Sequence, residues 1–531
     1  MTMTMFQRMT RLAAGAAMAW GVVCGPTASA QQASAPPATP QAQTPATSEP
    51  QGPTLRLSMD EAVTMAMETS LGLQAAKLNL DIAAQNIVSA RASFLPVITS
   101  GVTNSSRTAP PGDFTQGSQD ITSRNVSFQG SSRQSLPWFG SGYSVSWNGN
   151  RSSTVGGFPT FAPGLGTSIS VNFTQPLWRN FIIDGTRAAV ETSERQRVIT
   201  DIQLQQQIVG LESGVRNAYL GLLSAIENLK VADQNKALAE ESLRGARARV
   251  NVGQAPPIDV VQAEAQVAGM EDAVIQARAN ILAAEDTLRG LIIDPNRQDY
   301  WTVRLEPTDT IEVTEEPIDV DAAIQNALQN RLDLQAENRR LEIDDLNLRV
   351  AKNATKPSVD LNVGYSASGT GGTRITYEGF PPVEVGRSSK SFGSTMAEAF
   401  SGAYPSWNVG VSVQYPIGNT SAEAALARAQ ISRRQSDLQL RQLELDIVRE
   451  VRQAARDVET ARQRVRATQR ALDLAQQQLD AENRKFEVGI STPFERQSRE
   501  SQLAQARTNH AAARIAFSRA LIRFATVQKT R

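Results

Sequence analysis

Cysteine and histidine are almost missing from this 531-residue chain, represented by Cys24 and His510 alone. One thiol near the start and one imidazole near the end make neither a nucleophile–base pair nor a ligand cluster. Disulfide frameworks, thiolate or imidazole metal centres and Cys–His catalysis are therefore excluded as organising chemistry. Aromatic residues make up 5%, too few for the several globular cores such a length would allow, so one elongated helical body is expected. The 53 basic and 53 acidic residues cancel, which leaves no positive field to gather nucleic acid. Beyond the first thirty residues nothing approaches the ~20 apolar residues of a membrane-spanning helix.

What is present begins with a leader. Arg8 and Arg11, an apolar run from Leu12 to Val23 and the small-residue motif Ala28-Ser29-Ala30 predict a secretory signal over residues 1–30. Cleavage at Cys24 would instead give a lipid anchor, against which Val23, a poor residue to precede such a cysteine, argues. Residues 31–53 are Pro, Ala, Gln and Thr with little apolar bulk, a flexible tail that cannot repay its ordering entropy. A helix is predicted from about Ser58, an N-cap candidate ahead of Glu61, to about Phe94.

The chain is organised around a seam. Val215, Leu222, Leu229, Leu243 and Val250 lie on one seven-residue stripe, broken only at Lys236, beside Ala218, Ala225, Ala232, Ala239 and Ala246. A seven-residue repeat drifts around a straight helix unless helices wind about partners. After the turn from Val250 to Val260 the stripe resumes as Val260, Val267, Val274, Ile281 and Leu288, so this region reads as an antiparallel coiled-coil hairpin.

The pattern occurs twice. Leu57 to Pro96 match Ile318 to Pro357 in step, with Leu73-Gln74-Ala75 against Leu334-Gln335-Ala336, and the stripe returns as Val451, Val458, Val465, Leu472, Leu479 and Phe486. The repeats span residues 54–292 and 318–528, joined by 293–317. Each reads helix, strand, loop, strand, long helix, turn, helix. Val359, Leu361, Val363 and Tyr365 alternate with polar residues, as do Trp407, Val409, Val411 and Val413, and Ile169, Val171 and Phe173; Pro96 to Thr103 is weaker. Such strands have one apolar and one polar face. A soluble sandwich would accommodate them but not the rods beside them. A membrane β-barrel would, except that four strands cannot close one and an open edge in lipid is prohibitive. Several chains must share one barrel.

Helix lengths agree. The long helices, about Ala188 to Val250 and Ala424 to Glu487, are roughly 95 Å long, and two short helices of about 35 residues stacked end to end match one of them. Residues 293–317, with Val303, Leu305, Ile311 and Val313, are expected as an equatorial belt where the short helices meet. Residues 120–152 form an extra hairpin whose place, in the barrel or capping it, the sequence leaves open. Ser366 to Pro405, containing Gly369-Thr370-Gly371-Gly372-Thr373, is expected as an outer loop. The arginines between Arg428 and Arg470 read as an ion-paired face, and His510, on the seam, as structural.

In this setting the chain resembles the TolC-like outer-membrane efflux proteins. The resemblance rests on the duplication, on the phrase Phe173-Thr174-Gln175-Pro176-Leu177 echoed by Val413-Gln414-Tyr415-Pro416-Ile417, and on the turns Val252-Gly253 to Asp259-Val260 and Val488-Gly489 to Glu495-Arg496. It implies a mainly α fold with a transmembrane β portion, in which a homotrimer builds a coiled-coil α-barrel through the periplasm and a shared twelve-stranded β-barrel in outer-membrane lipid. It also implies a periplasmic adaptor and an inner-membrane pump as partners, and no cofactor or nucleic acid. The family's turn motif, Gly followed by Asp-Val, maps onto Gly253, Asp259 and Val260, and in the second repeat onto Gly489 with Glu495 and Arg496 in place of Asp-Val; Pro257 and Pro493 join them as candidates for adaptor docking at the tips. The carboxylates that narrow the closed end in the family fall on Glu495 and Ser498, so Glu495 is the gate candidate. Tip glycines, prolines and acids also suit plain helix ends. The rival readings are a coiled-coil outer-membrane anchor or adhesin and a stand-alone porin.

Overall fold

The computed structural model describes residues 53–110, 120–155, 158–309, 318–379 and 382–528. The leader, Cys24, all of the tail but its last residue, Ile311 and Val313 lie outside them.

A short strand β1 (Thr54–Leu57) leads into α1 (Met59–Thr69), whose start is set by a capping box: Glu61 N–H donates to Ser58 Oγ at 3.3 Å, and the Glu61 carboxylate accepts from Ser58 N–H at 2.7 Å. Those hydrogen bonds, the backbone one first, hold the Glu61 carboxyl below its ordinary range. The helix predicted as one piece to Phe94 is broken at Ser70, which leaves the helical region and re-caps α2 (Leu71–Ala92) by accepting from Leu73 N–H at 3.3 Å. The second repeat breaks at the matching position. Here α5 (Val320–Asn330) gives way to α6 (Leu332–Ala354) at Arg331, extended and pinned by Asp333 and Glu450. Heptad counting does not register one extended residue, because the stripe resumes on the far side.

The strands follow. β2 (Val97–Ala109), β3 (Ile121–Ser135), β4 (Gly142–Val155) and β5 (Phe161–Pro176) precede the long α3 (Gly185–Asn251) and α4 (Ile258–Ile292). After β6 (Arg304–Pro307) and the α5–α6 pair come β7 (Ser358–Glu378), β8 (Val383–Lys390), α7 (Phe392–Ser401), β9 (Tyr404–Gln414), the long α8 (Thr420–Glu487) and α9 (Pro493–Gln528).

The sheet departs from expectation twice. The extra hairpin joins the main sheet, in the antiparallel order β2-β3-β4-β5-β7-β9, so one chain supplies six long strands rather than four. Ser366 to Pro405 is not a simple outer loop. β7 continues through Gly369 to Thr373, β8 returns along it above β9, and α7 packs on the sheet over Gly369 and Gly371. A Cβ at either glycine would collide with Thr395, so those glycines serve the close approach of a helix.

The helices form two antiparallel hairpins, α3/α4 and α8/α9, and α3 also packs against α6 and α9 of the second repeat. α4 ends where α1 ends: Thr69 Oγ1 donates to the Ile292 carbonyl at 3.1 Å. There lies the best-filled core, with Leu57, Ala62, Ala66, Val215, Leu222, Leu288, Ile292, Val303 and Leu305 around Tyr219. β1 pairs in parallel with β6 over it, and the Tyr219 hydroxyl donates to the Leu57 carbonyl at 3.1 Å while accepting from Asp309 N–H at 3.2 Å. Each leucine or isoleucine buried there contributes about 1.5–3 kcal/mol. The matching core of the second repeat, Ala323, Ala327, Leu334, Ile447, Val451, Ala454 and Val527, is smaller and adjoins an open cleft lined by Val458, Phe517 and Phe524.

Candidate functional site

Both hairpin turns have the same geometry. α3 ends with Val252, then Gly253 at φ +75°; Gly253 N–H donates to the Val250 carbonyl and Gln254 N–H to Arg249, a Schellman arrangement. α8 ends with Val488 and Gly489 at φ +78°, with Ile490 N–H donating to the Lys485 carbonyl. Pro257 already has helical backbone angles, and Asp259 follows in the first turn of α4 beside Val260. Pro493 opens α9, where Glu495 N–H donates to Thr492 Oγ1 and Thr492 N–H returns a bond to the Glu495 carboxylate at 3.1 Å. Glu495 is exposed with its carboxylate occupied by this cap, while Gly253 and Pro257 at one turn and Gly489 and Pro493 at the other are exposed.

Beside these residues stand apolar side chains that sequence reasoning missed. Val252 and Ile258 at one tip, and Val488, Ile490 and Phe494 at the other, are all more than half exposed. Their signal was available: Ile258 and Phe494 each follow the turn proline. A cluster of bare valine, isoleucine and phenylalanine at a helix tip marks a contact surface.

A clasp behind the tips has no such signal. Glu500 of α9 is 4% exposed, accepts from Ser242 Oγ of α3 at 2.9 Å and pairs with Arg496 at 3.0 Å. Burial raises the Glu500 carboxyl above its ordinary range, against the lowering pull of Ser242 and Arg496. Arg249 lies 4.6 Å and Arg496 5.4 Å from the centre of the Phe486 ring, cation–π contacts that join α3 to α8 and α9. Nearby, the Ser491 hydroxyl donates to Glu482 and holds that carboxyl low. His510 is half-buried with Nδ1 3.3 Å from Thr468 Oγ1, and burial, then Arg514, pushes its pKa down. Among the described residues no group of carboxylates, histidines or cysteines could hold a metal ion.

At the other end the sheet separates its side chains cleanly. Registers place Val409, Val363, Phe173, Tyr143 and Gln134 in one row, with Val411, Leu361, Val171, Val145 and Val102 on the same face. The opposite face carries Asn408, Gly364, Asn172, Ser144 and Arg133, flanked by serines, threonines and asparagines. Both faces of β9 are exposed throughout, with Val409, Val411 and Val413 bare. One apolar and one polar face on strands of about ten or more residues is the pattern of a membrane barrel wall.

The profile of the family described as "Outer membrane efflux protein" matches residues 113–292 and 323–527, more than half of the chain. The chain belongs to the outer membrane efflux protein family. The family profile matches twice along the chain, and the resemblance to TolC-like proteins is borne out. The outer membrane protein TolC of Vibrio cholerae serotype O1 is 25% identical over 199 residues, which cover 38% of this chain and 44% of that relative; the alignment thus spans less than half of the relative's length. Among solved structures, the CmeC outer membrane channel of Campylobacter jejuni has a TM-score of 0.62 at 14% identity, covering 88% of this chain and 85% of that one. The open state of the Neisseria gonorrhoeae MtrE outer membrane channel has 0.59 at 16%, covering 89% and 90%. These similarities show that the chain shares the fold of outer-membrane efflux proteins.

Proposed function

We propose that three copies of this chain form an outer-membrane channel with a helical tunnel through the periplasm, the exit duct of a tripartite efflux or type I secretion system. One observation carries the reading: this chain is unfinished along both sides. Among the described residues β2 and β9 are the free edges of the six long strands, with the short β8 a further edge above β9. On the helices that continue those edges, α8 leaves Ile431, Leu438 and Leu445 exposed at seven-residue spacing, and α2 leaves Leu71, Leu78 and Ile82 bare. Exposed heptad stripes are half-seams, and α8 of one copy meeting α2 and α4 of the next completes them while β9 meets β2.

In this reading the tips, Gly253, Pro257, Asp259 and Val260 with Gly489 and Pro493, dock a periplasmic adaptor that links the channel to an inner-membrane pump. The apolar Val252, Ile258, Val488 and Phe494 supply contact area, and Glu495 is the acid at the aperture. Release of the Glu500–Ser242–Arg496 clasp would let the α8/α9 hairpin swing from α3. The channel is passive, and the pump selects the cargo. Deleting the gene should raise accumulation and toxicity of dyes and detergents. Unchanged export with lost surface attachment would favour an anchor, and unchanged export with reduced inward diffusion a porin; either would reject efflux.

A further inference from the structure

We propose that the β3–β4 hairpin is part of the membrane wall, so that three copies close a barrel of eighteen strands whose circumference matches that of the helical tunnel below it. The count rests on the trimeric reading above; the placement of the hairpin does not.

Three observations support the placement. β3 and β4 pair over most of their lengths with β2 and β5, from Val97↔Arg133 to Ala109↔Ile121 and from Gly142↔Thr174 to Ser152↔Gly164. Their faces continue those of their neighbours, with Tyr143, Val145 and Trp147 on the apolar side and Ser144, Ser146 and Asn148 on the polar one. The lower turn is fixed to the strand–helix junction as well: Phe139 stacks on Phe181 at 4.9 Å, Gln175 Nε2 donates to the Phe139 carbonyl at 3.0 Å, and Gln134 Nε2 donates to the Phe94 carbonyl at 2.9 Å.

The widths then agree. Strands about 4.8 Å apart and tilted about 40° each take about 6.3 Å of circumference, so six span about 38 Å and four only about 25 Å. Each chain supplies four helix positions (α2 with α4, α3, α6 with α9, and α8), which at about 8–10 Å between axes span about 32–40 Å, a range that includes the width of six strands and exceeds that of four. Six strands therefore meet the tunnel without a funnel. A closed ring of eighteen is about 36 Å across between backbones, against about 24 Å for twelve. The polar face of all six strands lines this opening, and α7 lies on the apolar side, outside it.

Single cysteines at the neighbouring positions Val145 and Ser146, and Ser132 and Ser131, test the placement in channels reconstituted in lipid. A membrane-impermeant maleimide should label Ser146→Cys and Ser131→Cys at least tenfold faster than Val145→Cys and Ser132→Cys. Equal labelling on both faces would put the hairpin outside the bilayer and overturn the wall. A double variant, Thr103→Cys with Asn408→Cys, should give covalent trimers with a bifunctional maleimide; their absence would overturn the trimeric closure and its count while leaving the labelling result untouched. A polymer-linked maleimide about 20 Å in diameter, added from outside, should reach Asn172→Cys, and its exclusion beside normal labelling by a small maleimide would point to the narrower ring.

Discussion

Glu264 and Glu500 occupy the same position in the two repeats, a short way past the same turn, and they live in different environments. Glu264 is exposed and pairs with Arg247 of its own hairpin at 2.7 Å, whereas Glu500 is buried and reaches across to Ser242 of the other repeat. The difference comes from neighbours: α9 packs against both α8 and α3, while among the described residues α4 packs mainly on α3 and otherwise meets α1 and β6. A duplicated sequence thus yields two unlike hairpins, one tied to the other repeat through Glu500 and one whose matching Glu264 pairs only within its own hairpin. The equator shows the reverse asymmetry, since β1, β6 and Tyr219 close the core of the first repeat while the second keeps its cleft.

The most severe way to break this comparison is at the feature the repeats share. Gly253→Pro or Gly489→Pro puts a residue fixed at negative φ where the turn requires a positive one and removes a turn hydrogen bond. Either should abolish export while trimers persist on native gels; full activity of either variant would refute docking at that tip. Next comes the equator. Leu222→Ala, fully buried in the core around Tyr219, should cost about 3 kcal/mol, and Val458→Ala, buried in the smaller core that lines the cleft, about 1.5 kcal/mol. Equal losses in denaturant titration would mean that the cleft is filled in the assembled channel.

The clasp gives a smaller and more informative effect. Glu500→Ala should destabilise by about 1–3 kcal/mol and increase leak through the tip, and Glu264→Ala should do neither. The pH dependence has a definite sign. Burial favours the neutral carboxyl of Glu500, so its contribution is complete below the ordinary carboxylate range and declines as pH rises through its raised value. Glu500→Gln should flatten that decline in thermal melts taken across mildly acidic pH; an unchanged slope would show that another group carries it. Smallest of all, Phe494→Ser and Ile258→Ser should each weaken adaptor binding about tenfold with normal folding, as read by titration with the purified adaptor. A loss at one tip alone would show that the repeats divide the docking between them.

Much of this was legible beforehand because it is periodic or local. The seven-residue stripe located both hairpins, the glycine–proline spacing located both tips, and strict alternation located β5, β7 and β9. The break at Ser70 was not legible, since one residue out of the helical region leaves the stripe intact. Gly369 to Thr373 was misjudged as loop because its glycines serve a helix packed from elsewhere in the chain, a reason invisible in their own neighbourhood.

By itself, then, the sequence determined the two helical hairpins, the lengths of their rods and the two faces of the strands, all of which follow from side-chain spacing along one segment. Tertiary structure alone decided that the extra hairpin lies between β2 and β5, and that Glu500 is buried while Glu264 is not. Those outcomes depend on which segments become neighbours, and the cost of leaving a strand edge or a carboxylate without a partner is settled by that neighbour rather than by the residue itself.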